Sequence, residues 1–417
     1  MKILLLTDIP PCTNYSGGLA LARICRLLPP EALVLFVVLN PALRPEIPPD
    51  LSGLEMAVVD KPREHGRRFR AFPGPHLSWL QWLDKRAWLR VCREQAKAAA
   101  DFGRRHGVDR VMAVLEGQTL VTQSVMVAED LSVPLHSLVW DPLQWWLTTH
   151  DVNLLIARFS LNQFDQALRR SQVCGAASEA MADRFSERYG TRSVPIFGGF
   201  PVTRPVIPDP RPRDELRIGV AGQFYAADAW HELLGALRRR RWTLAGRAVR
   251  VDVLGVARPP GIADTDPIAV HGWQPEVASI ELLREVDLLY CPYPFGSDMA
   301  EVARLSFPSK LSFYLGVGRP VLFHGPAYSS PFRYLEAKDA ALCCTEPDGD
   351  SALATVEAAF ARSGAIAGVM QRARAAFLAD HTEDALKRRL DDFLELAPPA
   401  AGTPPSPMTG PGGACAS

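Results

Sequence analysis

The sequence predicts an α/β protein built as two doubly wound sheets in tandem. Three observations carry this. Short apolar runs recur with amphipathic stretches between them, the pattern of parallel βα units whose sheets are covered on both faces. Near the middle of the chain Pro201, Pro205, Pro208, Pro210 and Pro212 crowd into a polar stretch where neither a helix nor a central strand can continue. Beyond them the same alternation starts again.

In the first half, strands are predicted at Ile3 to Leu6, Leu33 to Leu39, Met56 to Val59, Arg110 to Leu115, Leu135 to Val139, Val173 to Ala176 and Val194 to Phe197. In the second, they are predicted at Leu216 to Val220, Val249 to Leu254, Ile268 to Val270, Leu288 to Tyr290, Val321 to Phe323 and Ala341 to Cys344. Helical stretches fill most gaps. The prolines make 201–214 a linker between an N-terminal unit, 1–200, and a C-terminal unit, 215–396. Thr382 is placed to cap a last helix on which Leu386, Leu390, Phe393 and Leu394 share a face. Residues 397–417, rich in Pro, Ala and Gly and almost uncharged, read as a disordered tail. Ligands of such sheets bind beyond the carboxyl ends of the strands, so the expected site is the cleft between the two units.

Composition narrows the function classes. A chain of 417 residues exceeds one compact core. Its 46 basic and 46 acidic residues cancel, which argues against nucleic acid as a partner. Eight cysteines with no CxxC pair point to buried thiols in a reducing compartment, with no metal site. The apolar run after Met1 is too short for a signal sequence or a membrane span. A cytoplasmic protein is expected, with attachment to the inner face of a membrane left open. Between Lys61 and Arg93, the residues Arg63, Arg67, Arg68, Arg70, Lys85, Arg86 and Arg90 interleave with Phe69, Phe72, Trp79, Trp82 and Trp88. That mixture suits an anionic membrane surface or a lipid phosphate, and equally a set of core-facing tryptophans beside solvated arginines.

The most telling segment runs from Ser306-Phe307-Pro308-Ser309-Lys310-Leu311 to Gly318-Arg319-Pro320-Val321. Pro308 suits a helix start, Leu311, Tyr314 and Leu315 fall on one face, and Gly318 suits the stop. Free N–H groups, a positive dipole end and a lysine at such a start make a seat for phosphate. Each half also opens with a strand that runs into a small-residue loop, carrying Gly17-Gly18 in the first and Gly222-Gln223 in the second. Neither matches the GxGxxG dinucleotide fingerprint.

Together, the tandem sheets, the Gly17-Gly18 loop and the Phe307-to-Val321 segment resemble nucleotide-sugar glycosyltransferases of the GT-B fold, with two Rossmann-like domains and an interdomain active site. The nearest resemblance is to the retaining family 4 group, up to about Leu396. Ala177-Ser178-Glu179-Ala180-Met181 and Gly272-Trp273 are supporting matches. The resemblance implies sugar transfer from a nucleoside diphosphate sugar to a glycan, lipid-linked or small-molecule acceptor held by the N-terminal domain. It implies donor contacts from Gly17, Gly18, Gly222, Gln223, Trp273, Ser309 and Lys310, retention of configuration, and no need for a cofactor or divalent metal.

The sequence also departs from that family. Where members carry two glutamates eight positions apart, this chain has Leu305 and Phe313, which leaves Asp298 and Glu301 as nearby acids for the ribose. Gln223 and Asp228 stand where an arginine and a lysine commonly meet the diphosphate. Trp140-Asp141 replaces an expected histidine, and Asp141 and Glu116 become the candidate catalytic carboxylates. Two other readings stay open: a nucleotide-sugar epimerase, and a GT-B binding protein without catalysis.

Overall fold

The computed structural model describes residues 1–66, 78–204, 214–255 and 258–396, and the backbone alone at 78–82. Most of the expected linker and all of the expected tail lie outside the described residues. So do Arg67, Arg68, Phe69, Arg70 and Phe72, and the side chains of Trp79 and Trp82.

The first sheet contains β1 (Ile3–Thr7), β2 (Leu33–Leu39), β3 (Glu55–Asp60), β4 (Arg110–Val114), β5 (Leu135–Val139), β6 (Ser171–Ala176) and β7 (Ser193–Pro195). Its order is β3-β2-β1-β4-β5-β6-β7, with every pair parallel. The second contains β8 (Glu215–Ala221), β9 (Thr243–Leu244), β10 (Arg247–Leu254), β11 (Ile268–Gly272), β12 (Leu288–Pro292), β13 (Val321–His324) and β14 (Leu342–Cys344). Here the order is β11-β10-β8-β12-β13-β14, all parallel, with the short β9 added antiparallel to β10. Strand β9 is too short to leave a periodic signal, and it is the one strand among the described residues that the apolar pattern misses.

Strands β1 and β5 are buried throughout, whereas the edge strand β3 is partly open to solvent. Side chains divide by the period of two: Leu4 and Leu6 enter the apolar layer on one face, Ile3 and Leu5 the layer on the other. Strand order reverses between β1 and β4 in the first sheet and between β8 and β12 in the second. Both reversal points open toward carboxyl ends, where loops diverge and leave a crevice.

The last helix, Glu383–Phe393, is capped by Thr382, whose Oγ1 accepts from Ala385 N at 3.2 Å. Its apolar face does not join the second sheet. Leu386, Leu390, Phe393 and Leu394 pack with Ile3, Leu5 and Val173 of the first. By its contacts this helix belongs to the first layer and not to the expected 215–396 unit, because periodicity marks an apolar face without saying what covers it. The chain thus passes between the sheets twice, side by side: Gly199 N and Phe200 N donate to His381 O at 3.0 and 2.9 Å.

The basic and aromatic stretch resolves into structural pairs where it is described. Trp88 is buried, edge-on to His65, Lys85 sits over the Phe159 ring, and Arg90 pairs with Glu94. Among the described residues no single helix is long and apolar enough to cross a membrane. The described cysteines are all free, and six of the seven are buried.

Candidate active site

The helix Ser309–Val317 begins at the cleft, with Pro308 at its N-cap and no side chain on its first N–H groups. Gly318 ends it in the left-handed region at φ 86°, as expected of a glycine stop. The buried Tyr314 ties this helix to the end of β8, since its hydroxyl accepts from Ala221 N at 2.6 Å and donates to Ala221 O at 3.3 Å. That anchor sets Lys310 over the reversal point of the second sheet. Its Nζ donates to Gln223 O at 3.2 Å and stands 4.5 Å from the centre of the Tyr225 ring. Burial pushes the Lys310 ammonium pKa down, so the charge is poorly hydrated and gains more from an anion than a surface lysine would. Ser309, Gly222 and Gln223 are exposed beside it.

The opposite wall is the carboxyl edge of the first sheet. Asp8 follows β1, Lys61 and Glu64 follow β3, Glu116 follows β4 and Asp141 follows β5. Lys61 Nζ lies 3.1 Å from Asp8 Oδ2 and 3.5 Å from Glu64 Oε2. Glu64 Oε1 also accepts from Gln118 N and Thr119 N at 2.8 and 2.7 Å, capping the helix Gly117–Leu131 from outside its own strand. Gly117 makes this possible: it has φ +66°, and a Cβ there would stand 2.7 Å from a Glu64 carboxylate oxygen. Gly117→Ala is therefore expected to cost about 1–3 kcal/mol, from positive φ and the displaced cap together. Denaturant unfolding measures it, and an unchanged midpoint would contradict the cap geometry.

Glu116 opens to the cleft but is crowded by the cleft walls. Desolvation, then the Asp8 carboxylate, with Asp141 and Glu64 adding to them against the Lys61 charge, raise its carboxyl from 4.5 to about 8. Between those values the folded protein holds a proton that the unfolded chain has released, so stability falls as pH climbs through that window. Glu116→Gln removes the penalty. Its gain in Tm should be larger at pH 8 than at pH 5, and an equal gain at both would count against the raised carboxyl. Crowding also raises Asp141, and the hydrogen bond from Ser306 partly offsets the rise.

Contacts across the cleft bring the walls together. Ser306 Oγ donates to Asp141 Oδ1 at 2.6 Å, Trp145 Nε1 reaches Met299 Sδ at 3.0 Å, and Arg23 bonds Glu276 at 2.6 Å. Desolvation pushes the Tyr225 phenol well up, with Asp141 among the nearby charges, so the residue beneath Lys310 also borders the carboxylate side. Ser306, Tyr225, Trp145 and the Asp8–Lys61–Glu64 group are additions to the sequence-derived site. Asp8 and Lys61 were readable as strand-end residues, but Ser306 gains its partner only from the way the two sheets face each other.

Gly18 serves packing, because a Cβ there would meet Cys12 Sγ at 2.1 Å, and Gly17 sits against Ile9. Trp273 is half exposed at the carboxyl end of β11. Asp298 and Glu301 are exposed, and the Glu301 carboxyl, raised by desolvation, feels the Arg188 and Arg184 charges on the helix Glu179–Tyr189 of the facing domain. Asp228 faces the loop after β12, where its Oδ2 accepts from Phe295 N and Gly296 N at 2.8 and 3.1 Å. Phe313 packs on Phe200, 5.9 Å between ring centres. Arg238 to Arg240 are paired with Asp266, Asp350 and Glu357.

No family model and no curated protein sequence matches the chain. Solved structures do match. The HepE protein of Anabaena in complex with UDP superposes with a TM-score of 0.64 at 14% identity, over 95% of this chain and 100% of that one. It has also been solved with UDP-glucose. Sucrose-phosphate synthase from Thermosynechococcus elongatus gives 0.63 at 10% identity over 95% and 99% of the two chains. The α,α-trehalose 6-phosphate synthase of Burkholderia multivorans gives 0.59 at 12% over 95% and 96%. Likeness of this extent, at identities this low, concerns architecture, and the chain has the two-domain GT-B fold.

Proposed function

We propose that this protein is a glycosyltransferase that takes a sugar from a nucleoside diphosphate donor held against the second sheet. The acceptor lies against the first, and the reaction is metal independent and retaining. One observation carries the reading: the Lys310 ammonium, over the Tyr225 ring, stands at an uncapped helix start whose preceding Ser306 reaches Asp141 of the opposite wall at 2.6 Å. During transfer the bond from the anomeric carbon to the diphosphate breaks, and the acceptor oxygen bonds to that carbon on the same face. The acceptor proton passes to the departing diphosphate. Negative charge grows on the diphosphate as the bond breaks, so Lys310 and the N–H groups near Ser309 bind the transition state more strongly than the donor. That full charge and the helix dipole do the work that a divalent cation would otherwise do.

Thermal-shift measurement with UDP, ADP, GDP and TDP and their sugars tests the donor side. Stabilisation by one base series is expected, since ligand that binds only the folded form raises Tm. A chain that responds to none of them is not a nucleotide-sugar enzyme. Incubation with the selected donor and no acceptor separates transfer from epimerisation, because an epimerase converts the donor alone. Donor binding without turnover over a broad acceptor set would favour a binding protein.

A further inference from the structure

The helix Ser309–Val317 belongs to the second domain, yet the three residues that lead into it are held by the first. Leu305 O accepts from Ser178 Oγ at 2.5 Å, and the Leu305 side chain packs against the apolar layer of the first sheet. Ser306 Oγ donates to Asp141 Oδ1 at 2.6 Å. Phe307 stacks on Phe197, with 5.1 Å between ring centres and the planes 24° from parallel. Ser178 caps the helix Glu179–Tyr189, Asp141 follows β5 and Phe197 follows β7, so all three holds come from the framework of the first sheet.

The second domain holds the same segment from the other side. The Tyr293 hydroxyl donates to Ser306 O at 3.0 Å, and Tyr314 ties the helix itself to Ala221. Phe307 also stacks on His381 and stands edge-on to Tyr334, at 5.8 and 5.4 Å between ring centres. His381 is the residue that accepts from Gly199 and Phe200 where the two crossings run side by side. The turn at 305–308 is therefore a joint with contacts to both domains and both crossings. Tyr314 anchors the helix beyond its first turn, so a slip of 305–307 tilts that turn and re-aims its N–H groups and Lys310. An anion contact tolerates only about 0.5 Å of such error.

We propose that Ser178 and Ser306 are positioning residues for the donor: through them the first domain sets the anion seat at Ser309 and Lys310, which the second domain alone leaves loose. This rests on the transfer reading above and adds how its diphosphate seat is held. Coupling of this kind is reciprocal, so a diphosphate on the seat also tightens the contact of Ser306 with Asp141.

The test uses the full chain with Ser178→Asp and Ser306→Ala, singly and together. An aspartate still accepts from Met181 N as helix cap but cannot donate to Leu305 O, and the alanine removes the hydroxyl that bonds Asp141. Thermal melts confirm folding, and Ser178→Thr, which keeps both cap and donor, should restore the behaviour of the unsubstituted chain. Isothermal titration compares UDP, ADP, GDP and TDP, each with its monophosphate. The diphosphate that binds is expected to lose about 2- to 30-fold in affinity in the double variant, while its monophosphate binds as before. In a Lys310→Ala background that loss should shrink, because the seat is already impaired. A loss shared equally by both nucleotides, or no loss, overturns the proposal. Hydrogen exchange, which needs no nucleotide, should accelerate at 305–312 and leave β13 protected, and unchanged exchange there also overturns it. A chain that shows this acceleration but binds no nucleotide refutes the transfer reading alone.

Discussion

Lys310→Ala is expected to slow transfer by about 10²–10³-fold, the usual loss when one preorganised charge is removed from a site where a leaving group gains negative charge. The loss should fall on kcat with the diphosphate donor and much less on binding of the nucleoside monophosphate, whose charge ends short of the second phosphate. Lys310→Arg should recover part of the rate, because the charge is restored while the bond to Gln223 O and the position over Tyr225 are not reproduced. Stability should hardly move, since the alanine leaves only the Gln223 carbonyl, at an exposed residue, without this donor. Steady-state rates over donor concentration, together with isothermal titration of the nucleotide, read both effects. If Lys310→Ala transfers at the normal rate, the diphosphate does not sit at this helix start.

Phe393→Ala should be strongly destabilising, costing about 3–5 kcal/mol. The ring is fully buried on the first sheet, edge-on to His136 at 5.6 Å between ring centres, and a Cβ at Gly175 would come within 3.2 Å of it. Its removal leaves a cavity that the sheet cannot close, because β5 and β6 are fixed by their own ladders. Although Phe393 is a C-terminal residue, the damage should appear in the first sheet. Hydrogen exchange should accelerate at β1, β5 and β6 while β12 and β13 keep their protection. Loss of protection confined to the second sheet would contradict the packing of this helix.

The strands were legible because buried parallel strands have few ways to be written: Ile3 to Leu6 or Val321 to Phe323 admit little else between turn signals. The segment from Pro308 to Gly318 was legible for a similar reason, since proline, helical spacing and glycine each constrain the backbone locally. Partners across the fold were not. Leu386 and Phe393 declared an apolar face but not its cover. Asp228 looked available to a ligand until the loop after β12 claimed it through Phe295 and Gly296. Phe313, read only as a missing glutamate, has its own use against Phe200. Ser306 carried no local signal, because a serine becomes a cross-cleft donor only where two sheets meet.

The chain treats two of the helix starts at this crevice oppositely. One, at Gly117, is plugged by Glu64; the other, at Ser309, is left vacant. On the proposed transfer reading, a diphosphate would be drawn to the vacant start at Ser309 and turned away from the one at Gly117. Glu64→Gln would weaken that plug and open a second seat for an anion on the wall of the first sheet.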